Sequence, residues 1–269
     1  MPGLAAQARG VVLGYGDFVA VSASDFDIPA GKMTVIIGPN GSGKSTILNG
    51  IAGLTQPRAG FIEVLGGPAD RMLSRVAYVF QAVKVNQAMP VTVRETVAMG
   101  RYAPLGAWRR FSKRDHAVVT EALERLDIID LARNHLVELS GGQRQRVFVA
   151  QGLAQEAEIL LLDEPVTGLD IVSRELILSA FRTELEAGRT LVLTTHDLAE
   201  ATVADHVLLM AGRVHSQGPP EEVLKPDRLS SAYGVGIVHL EDGSIVLDDP
   251  HHRRSQRHVH YERGGPSGP

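Results

Sequence analysis

The chain contains no cysteine, so no disulfide framework holds it and nothing argues for a secreted, bridge-stapled fold. No apolar run approaches the roughly 18 residues of a membrane span. Met1 to Ala8 also lack the basic region and apolar stretch of a signal peptide. Basic residues are not in excess: the formal net charge of -4 leaves no electrostatic footprint for nucleic acid. Internal repeats are absent. What is present is 44% hydrophobic residues in 269, enough for a substantial core in one large domain or a domain with a subdomain. A cytosolic chain that meets membranes only through a partner is the expectation.

Short runs rich in Val and Ile alternate with longer amphipathic stretches, which predicts an α/β sheet. Thr34 to Gly38 reads as a buried strand feeding a helix over Lys44 to Ile51. Further strands are expected at Phe61 to Leu65, Arg75 to Phe80, Ile159 to Asp163 and Thr190 to Thr195. Between Phe80 and Leu139 helical spacing takes over at Val118, Val119, Ala122, Leu123 and Leu126, predicting an inserted helical subdomain over about 82–138. Ala103-Pro104-Leu105-Gly106 and Arg109-Arg110 read as surface loops. Ala211-Gly212-Arg213 predicts a tight turn between strands, Glu221 to Leu224 a short helix, and Glu241-Asp242-Gly243 a hairpin within 236–249. From Pro250 to the end the composition is that of a disordered tail.

The chemistry concentrates in three segments. Gly38-Pro39-Asn40-Gly41-Ser42-Gly43-Lys44-Ser45-Thr46 follows a strand and opens a helix, the context in which a phosphate loop works. Glycines let the backbone wrap a phosphate, and consecutive amides with the helix's positive end face the anion. Lys44 adds a mobile charge near the β and γ phosphates, and the Ser45 hydroxyl suits Mg²⁺. The alternative is a Gly-rich turn with no ligand. Ile159 to Leu162 is an apolar strand ending in Asp163-Glu164, and acids at the edge of a buried strand need a counter-charge. A metal supplies it: Asp163 would hold Mg²⁺, directly or through water, while Glu164 would polarise an attacking water as general base.

The third segment, Leu139-Ser140-Gly141-Gly142-Gln143, placed ahead of the Asp163-Glu164 strand, resembles the signature motif of ABC-type ATPases. The resemblance runs from about Tyr15 to about Leu224. It implies a phosphate-loop NTPase core of ABC type with an inserted α-helical subdomain and an antiparallel β subdomain, in a domain over 1–235. It also implies that the signature of one subunit closes over ATP held by the phosphate loop of another, in a head-to-tail homodimer. Ser140, Gly141, Gly142 and Gln143 would then be nucleotide-binding. By the same resemblance Gln81 matches the Q-loop glutamine at the Mg²⁺ site, and His196 the switch histidine that bonds the γ-phosphate and steadies the water. Gly168-Leu169-Asp170 matches the D-loop, although Thr167-Gly168 departs from the commoner Ser-Ala. Tyr15 resembles the aromatic that stacks on adenine, with Phe18 nearby as a substitute ring.

One ATPase unit without a membrane span is similar to the separate ATPase subunits of bacterial importers, peripheral on the cytoplasmic face of the membrane. The resemblance implies a separate transmembrane permease and, indirectly, an extracytoplasmic solute-binding protein. Thr92 to Tyr102, with Ser112-Lys113-Arg114-Asp115 and Glu121 to Leu126, looks like the subgroups that import metals and metal chelates. Zinc or manganese import is the expectation, with an iron-siderophore or haem importer as alternative, and an exporter subunit or a cluster-assembly ATPase as rivals. His251, His252, His258 and His260 are imidazole ligand candidates for zinc in the tail.

Overall fold

The computed structural model describes residues 3–80, 91–105 and 110–234, with the strands Gly236–His239 and Ile245–Asp248. The chain opens on two long strands, β1 (Leu4–Tyr15) and β2 (Phe18–Pro29), then β3 (Met33–Ile37) and helix α1 (Lys44–Ile51). Strands β4 (Ala59–Val64), β5 (Gly67–Pro68) and β6 (Val76–Val79) follow. Helices α2 (Val93–Met99), α3 (Tyr102–Leu105), α4 (Lys113–Arg125) and α5 (Gly141–Ala154) lead to β7 (Ile159–Asp163). The remainder is α6 (Ile171–Glu186), β8 (Thr190–Thr195), α7 (Leu198–Thr202), β9 (His206–Met210) and β10 (Val214–Gly218), then α8 (Pro220–Val223) and α9 (Pro226–Tyr233). An antiparallel pair, β11 (Gly236–His239) and β12 (Ile245–Asp248), comes last.

The central sheet has the order β10-β9-β3-β8-β7-β6, parallel except for β10. Its inner strands β9, β3, β8 and β7 are buried on both faces, as a sheet covered on both sides requires. Alternate residues divide between two cores. Val35, Ile37, Leu160, Leu162, Leu191 and Leu193 pack with residues of α2, α4, α5 and α6. Ile36, Ile159, Leu161, Val192 and Leu208 face the other way, onto Ile47, Leu48 and Ile51 of α1 and onto a second sheet ordered β2-β1-β4-β5. Helix α1 is therefore held between two sheets. In register, Asp163 lies beside Thr194, and Ile37 beside Thr195. The carboxyl ends of β3, β7 and β8 thus share one edge, where ligands of open α/β sheets bind.

Several boundaries shift from the sequence expectation. The strand expected over Phe61 to Leu65 is β4, which ends at Val64 because Leu65 turns to φ 50. β3, β6 and α8 each sit about one residue away from their expected ends. Tyr102 to Leu105 forms a helical turn rather than a loop, since a proline in a first turn removes no intrahelical bond. Gly106 and Arg109, residues 82–90 of the helical insert, the Glu241-Asp242-Gly243 turn and everything from Pro250 on, including His251, His252, His258 and His260, lie outside the described residues. Among the described residues no helix is long and apolar enough to cross a membrane.

Helix α4 starts on a capping box: Ser112 Oγ accepts from the Asp115 amide and Asp115 reaches back to the Ser112 amide. Its buried face is Val119, Ala122 and Leu123, as the helical spacing requires. Asp115 is itself buried and paired with Arg101 at 2.9 Å. Hydrogen bonds from Ser112 first, then the bond and charge of Arg101, hold its carboxyl down to about 2 despite the cost of burial. A folded-state value below the unfolded one means that this stabilisation is complete above about pH 4 and is lost as pH falls toward 2. Asp115→Asn is therefore expected to unfold at lower urea than the parent at pH 7, the gap narrowing below pH 4. A gap constant from pH 7 to pH 3 would contradict the assignment.

Candidate nucleotide site

The loop from Gly38 to Gly43 joins the end of β3 to α1. Gly43 adopts φ 97 at the helix N-cap, a left-handed geometry that favours glycine, and its Cβ would meet Val21 Cγ2 at 2.6 Å. Lys44 Nζ donates to Gly38 O at 2.8 Å and Pro39 O at 3.0 Å, so the ammonium folds back over the loop. Burial pulls its pKa down, while Glu164 and then Asp163 push it back up. The desolvated cation thus lies within electrostatic reach of both acids. Ser42 Oγ is buried without a partner, an unmet polar group of the kind a bound phosphate oxygen completes. Asn40, Gly41 and Ser45 are exposed, and Pro39 is partly so; Thr46 is buried. The first-turn amides of a helix have no intrahelical acceptor, so this concave loop fits an anionic phosphate chain.

At the end of β7, Asp163 Oδ1 accepts from Thr194 Oγ1 at 2.5 Å. The same hydroxyl accepts from the Glu164 amide at 3.0 Å. Thr194 is fully buried and ties both acids to β8. Sequence reading passed it over, although two threonines closing an apolar strand were the available signal. Glu164 has φ 47, uncommon for a residue with a side chain and of the kind found where local strain serves a site. His196 Nδ1 lies 4.0 Å from Glu164 Oε2. The histidine is set between buried Thr195 and α7, because Asp197 caps that helix through the Ala199 amide while its own amide bonds Thr195 Oγ1. Ser45, Asp163 and Glu164 offer hard oxygen donors, the set that suits Mg²⁺. Gln81 lies outside the described residues.

Tyr15 stands half-exposed at the end of β1, its hydroxyl accepting from Asn49 Nδ2 at 2.9 Å. Phe18 is its partner in register and is also exposed. Replacing Tyr15 by Ala should weaken ATP binding about 3- to 10-fold, the worth of one aromatic stack, and leave kcat within twofold. Titration with a fluorescent nucleotide reads the first and steady-state turnover the second; unchanged affinity would move the stacking role to Phe18.

The signature segment stands apart. Ser140 caps α5 through the Gln143 amide, and Gln143 Oε1 accepts from the Ser140 amide. Ser140 and Gly141 are exposed, with open space where a Gly141 Cβ would be. A Cβ on Gly142 would lie 2.5 Å from Asp170 Oδ2 and 2.6 Å from Ser173 Oγ, so only glycine lets α5 and α6 approach there. Asp170 uses both oxygens to cap α6, accepting from the Ser173 amide and hydroxyl at 2.8 Å. The backbone bond from Ser173 leads in lowering its pKa. Among the described residues no hydrogen bond or ion pair joins Gly38 to Thr46 with Ser140 to Gln143. The structure brings Lys44, Asp163, Glu164, Thr194 and His196 together and leaves the signature facing outward beside Asp170.

Comparison with known proteins bears on the same segments. The ABC transporter family model matches residues 21–167. The chain is 35% identical over 238 residues to the manganese transport system ATP-binding protein MntB of Listeria monocytogenes, covering 88% of this chain and 99% of that protein. It is 38% identical over 256 residues to the zinc transport system ATP-binding protein TroB of Treponema pallidum, covering 95% and 96%. A dimeric ATP-binding cassette solved in a post-hydrolysis state with ADP and Pi superposes with TM-score 0.70 at 26% identity, covering 80% and 98%. With its phosphate loop, its acidic strand end and a match over more than half its length, the chain belongs to the ABC transporter family as an ATP-binding, ATP-hydrolysing component.

Proposed function

We propose that the chain powers import of a metal ion, zinc or manganese, through a separate membrane permease, working as a head-to-tail homodimer on the cytoplasmic face. The observation that carries the cargo is the near full-length likeness to manganese and zinc transport ATP-binding proteins. The dimer is supported by the outward-facing α5 N-terminus: Ser140 and Gly141 are exposed, and among the described residues no hydrogen bond or ion pair joins them to Gly38 to Thr46. A helix N-terminus of this kind is an anion site, and a second copy would bring it to the γ-phosphate. Gln143 and Asp170 would fix that segment rather than reach the nucleotide through their capping atoms.

In this reading the Gly38 to Thr46 loop holds the phosphates and Lys44 turns its ammonium from Gly38 O and Pro39 O onto them. Ser45, Asp163 and Gln81 would hold Mg²⁺, which when bound supplies charge neutralisation on the phosphate oxygens. Glu164 takes the proton of the attacking water at its carboxylate, and His196 steadies the water and the γ-phosphate. Thr194 keeps Asp163 and Glu164 aimed. Exposed Leu73, Met99 and Tyr102 support a permease seat where α3 packs beside Leu73 to Arg75, at the start of β6. A solute-binding protein outside the membrane would deliver the ion to that permease. Deleting the gene should impair growth in chelated medium, with zinc or manganese restoring it; restoration by iron or a siderophore alone would overturn the cargo.

A further inference from the structure

Gly100-Arg101-Tyr102 takes no part in the nucleotide chemistry, yet Arg101 is among the most completely bonded side chains in the protein. It is 6% exposed. Its Nε donates to Asp115 Oδ1 at 3.0 Å and its Nη2 pairs with the same oxygen at 2.9 Å. Nη1 donates to Ala154 O at 2.8 Å and to Glu156 Oε2 at 2.7 Å. Arg114 reaches Glu156 from the solvent side. Arg101 therefore joins the end of α2, the first turn of α4 and the last residue of α5. Gly100 closes the same junction by contact: a Cβ there would lie 2.2 Å from Gln151 O of α5.

The two ends of α5 meet different things. Its first residues are Gly141 and Gly142; its last, Ala154, is in Arg101's grip. Fourteen residues of unbroken helix make a stiff rod about 21 Å long. Met99 and Tyr102, the exposed apolar residues of the permease seat, flank Gly100-Arg101 in the chain, and α3 packs beside Leu73 to Arg75. A push on that seat has a short, fully bonded route to the rod, since a buried guanidinium with its acceptors in place holds one geometry.

We infer that Gly100 and Arg101 are positioning residues that clamp the permease seat to the signature helix, so that permease movement sets where Ser140 to Gly142 stand. The clamp rests on the permease reading above. It acts through α5 and not on the nucleotide, so the free subunit does not need it.

The test uses the subunit alone and assembled with its permease in lipid nanodiscs. Two variants probe the junction: the pair Arg101→Met with Asp115→Asn, which removes both buried charges together and so strands neither, and Gly100→Ala, which touches no charge. Both should leave ATP affinity and turnover of the free subunit within twofold of the parent and cut permease-stimulated turnover and transport at least 10-fold. Stimulation retained within twofold would overturn the clamp, as would free and stimulated turnover falling in proportion, the mark of a merely structural role. If no permease binds or stimulates the parent subunit, the permease reading itself fails, and the clamp with it.

Discussion

Glu164→Gln should lower ATP turnover by about 10²- to 10⁴-fold, the usual worth of a placed general base, while ATP affinity stays within about threefold. The amide is nearly isosteric, so Thr194 still bonds the backbone amide at position 164 and the β7–β8 register keeps Asp163 in place. What disappears is the carboxylate proposed to take the water's proton. Contacts that exist only with triphosphate then persist, because the bound state is no longer drained by hydrolysis, and the population shifts toward the closed pair. Size-exclusion chromatography with ATP and Mg²⁺ should show a stable dimer for this variant and a mostly monomeric parent after turnover. A monomeric variant of full activity would remove Glu164 from the role. His196→Ala should follow in the same direction, its imidazole standing 4.0 Å from Glu164.

The parts legible in sequence are those in which local pattern and tertiary environment agree. Ile159 to Asp163 and Thr190 to Thr195 are strands with the expected bounds because each is a buried apolar run stopped by polar residues, and Lys44 to Ile51 is a helix with the expected bounds behind its glycine loop. The long β1 and β2 pair drew no strand prediction. β1 is alanine-rich and carries Gly10 and Gly14, poor strand formers, and its pairing with β2 slips register in several places, so no clean alternation shows. Pro104 reads as a breaker and sits instead inside the first turn of α3. The bridging by Thr194 joins residues 31 apart, and no local pattern encodes it or the positive φ at Glu164. The same holds for Arg101, whose partners come from two helix ends, the start of α4 and the end of α5, and whose burial only the assembled fold reveals.

Lys44→Ala should raise the dissociation constant for ATP about 100-fold, or about 3 kcal/mol, and turnover at ordinary ATP concentrations should fall to background. Two terms act in the same direction. The variant loses charge-assisted bonds to the phosphates, and it leaves Asp163 and Glu164 facing a polyanion without the cation whose field now reaches both. Meanwhile the fold should survive. Lys44 is held by two backbone carbonyls of its own loop, and burial already works against its charge, so the nucleotide-free thermal midpoint should move by no more than about 4 °C. Binding to the native state alone raises the midpoint by mass action. Millimolar ATP should therefore stabilise the parent clearly and the variant hardly at all. An ATP-dependent shift in Lys44→Ala equal to the parent's would mean that the ammonium folded over Gly38 and Pro39 is a structural strut, and that the phosphates are held elsewhere.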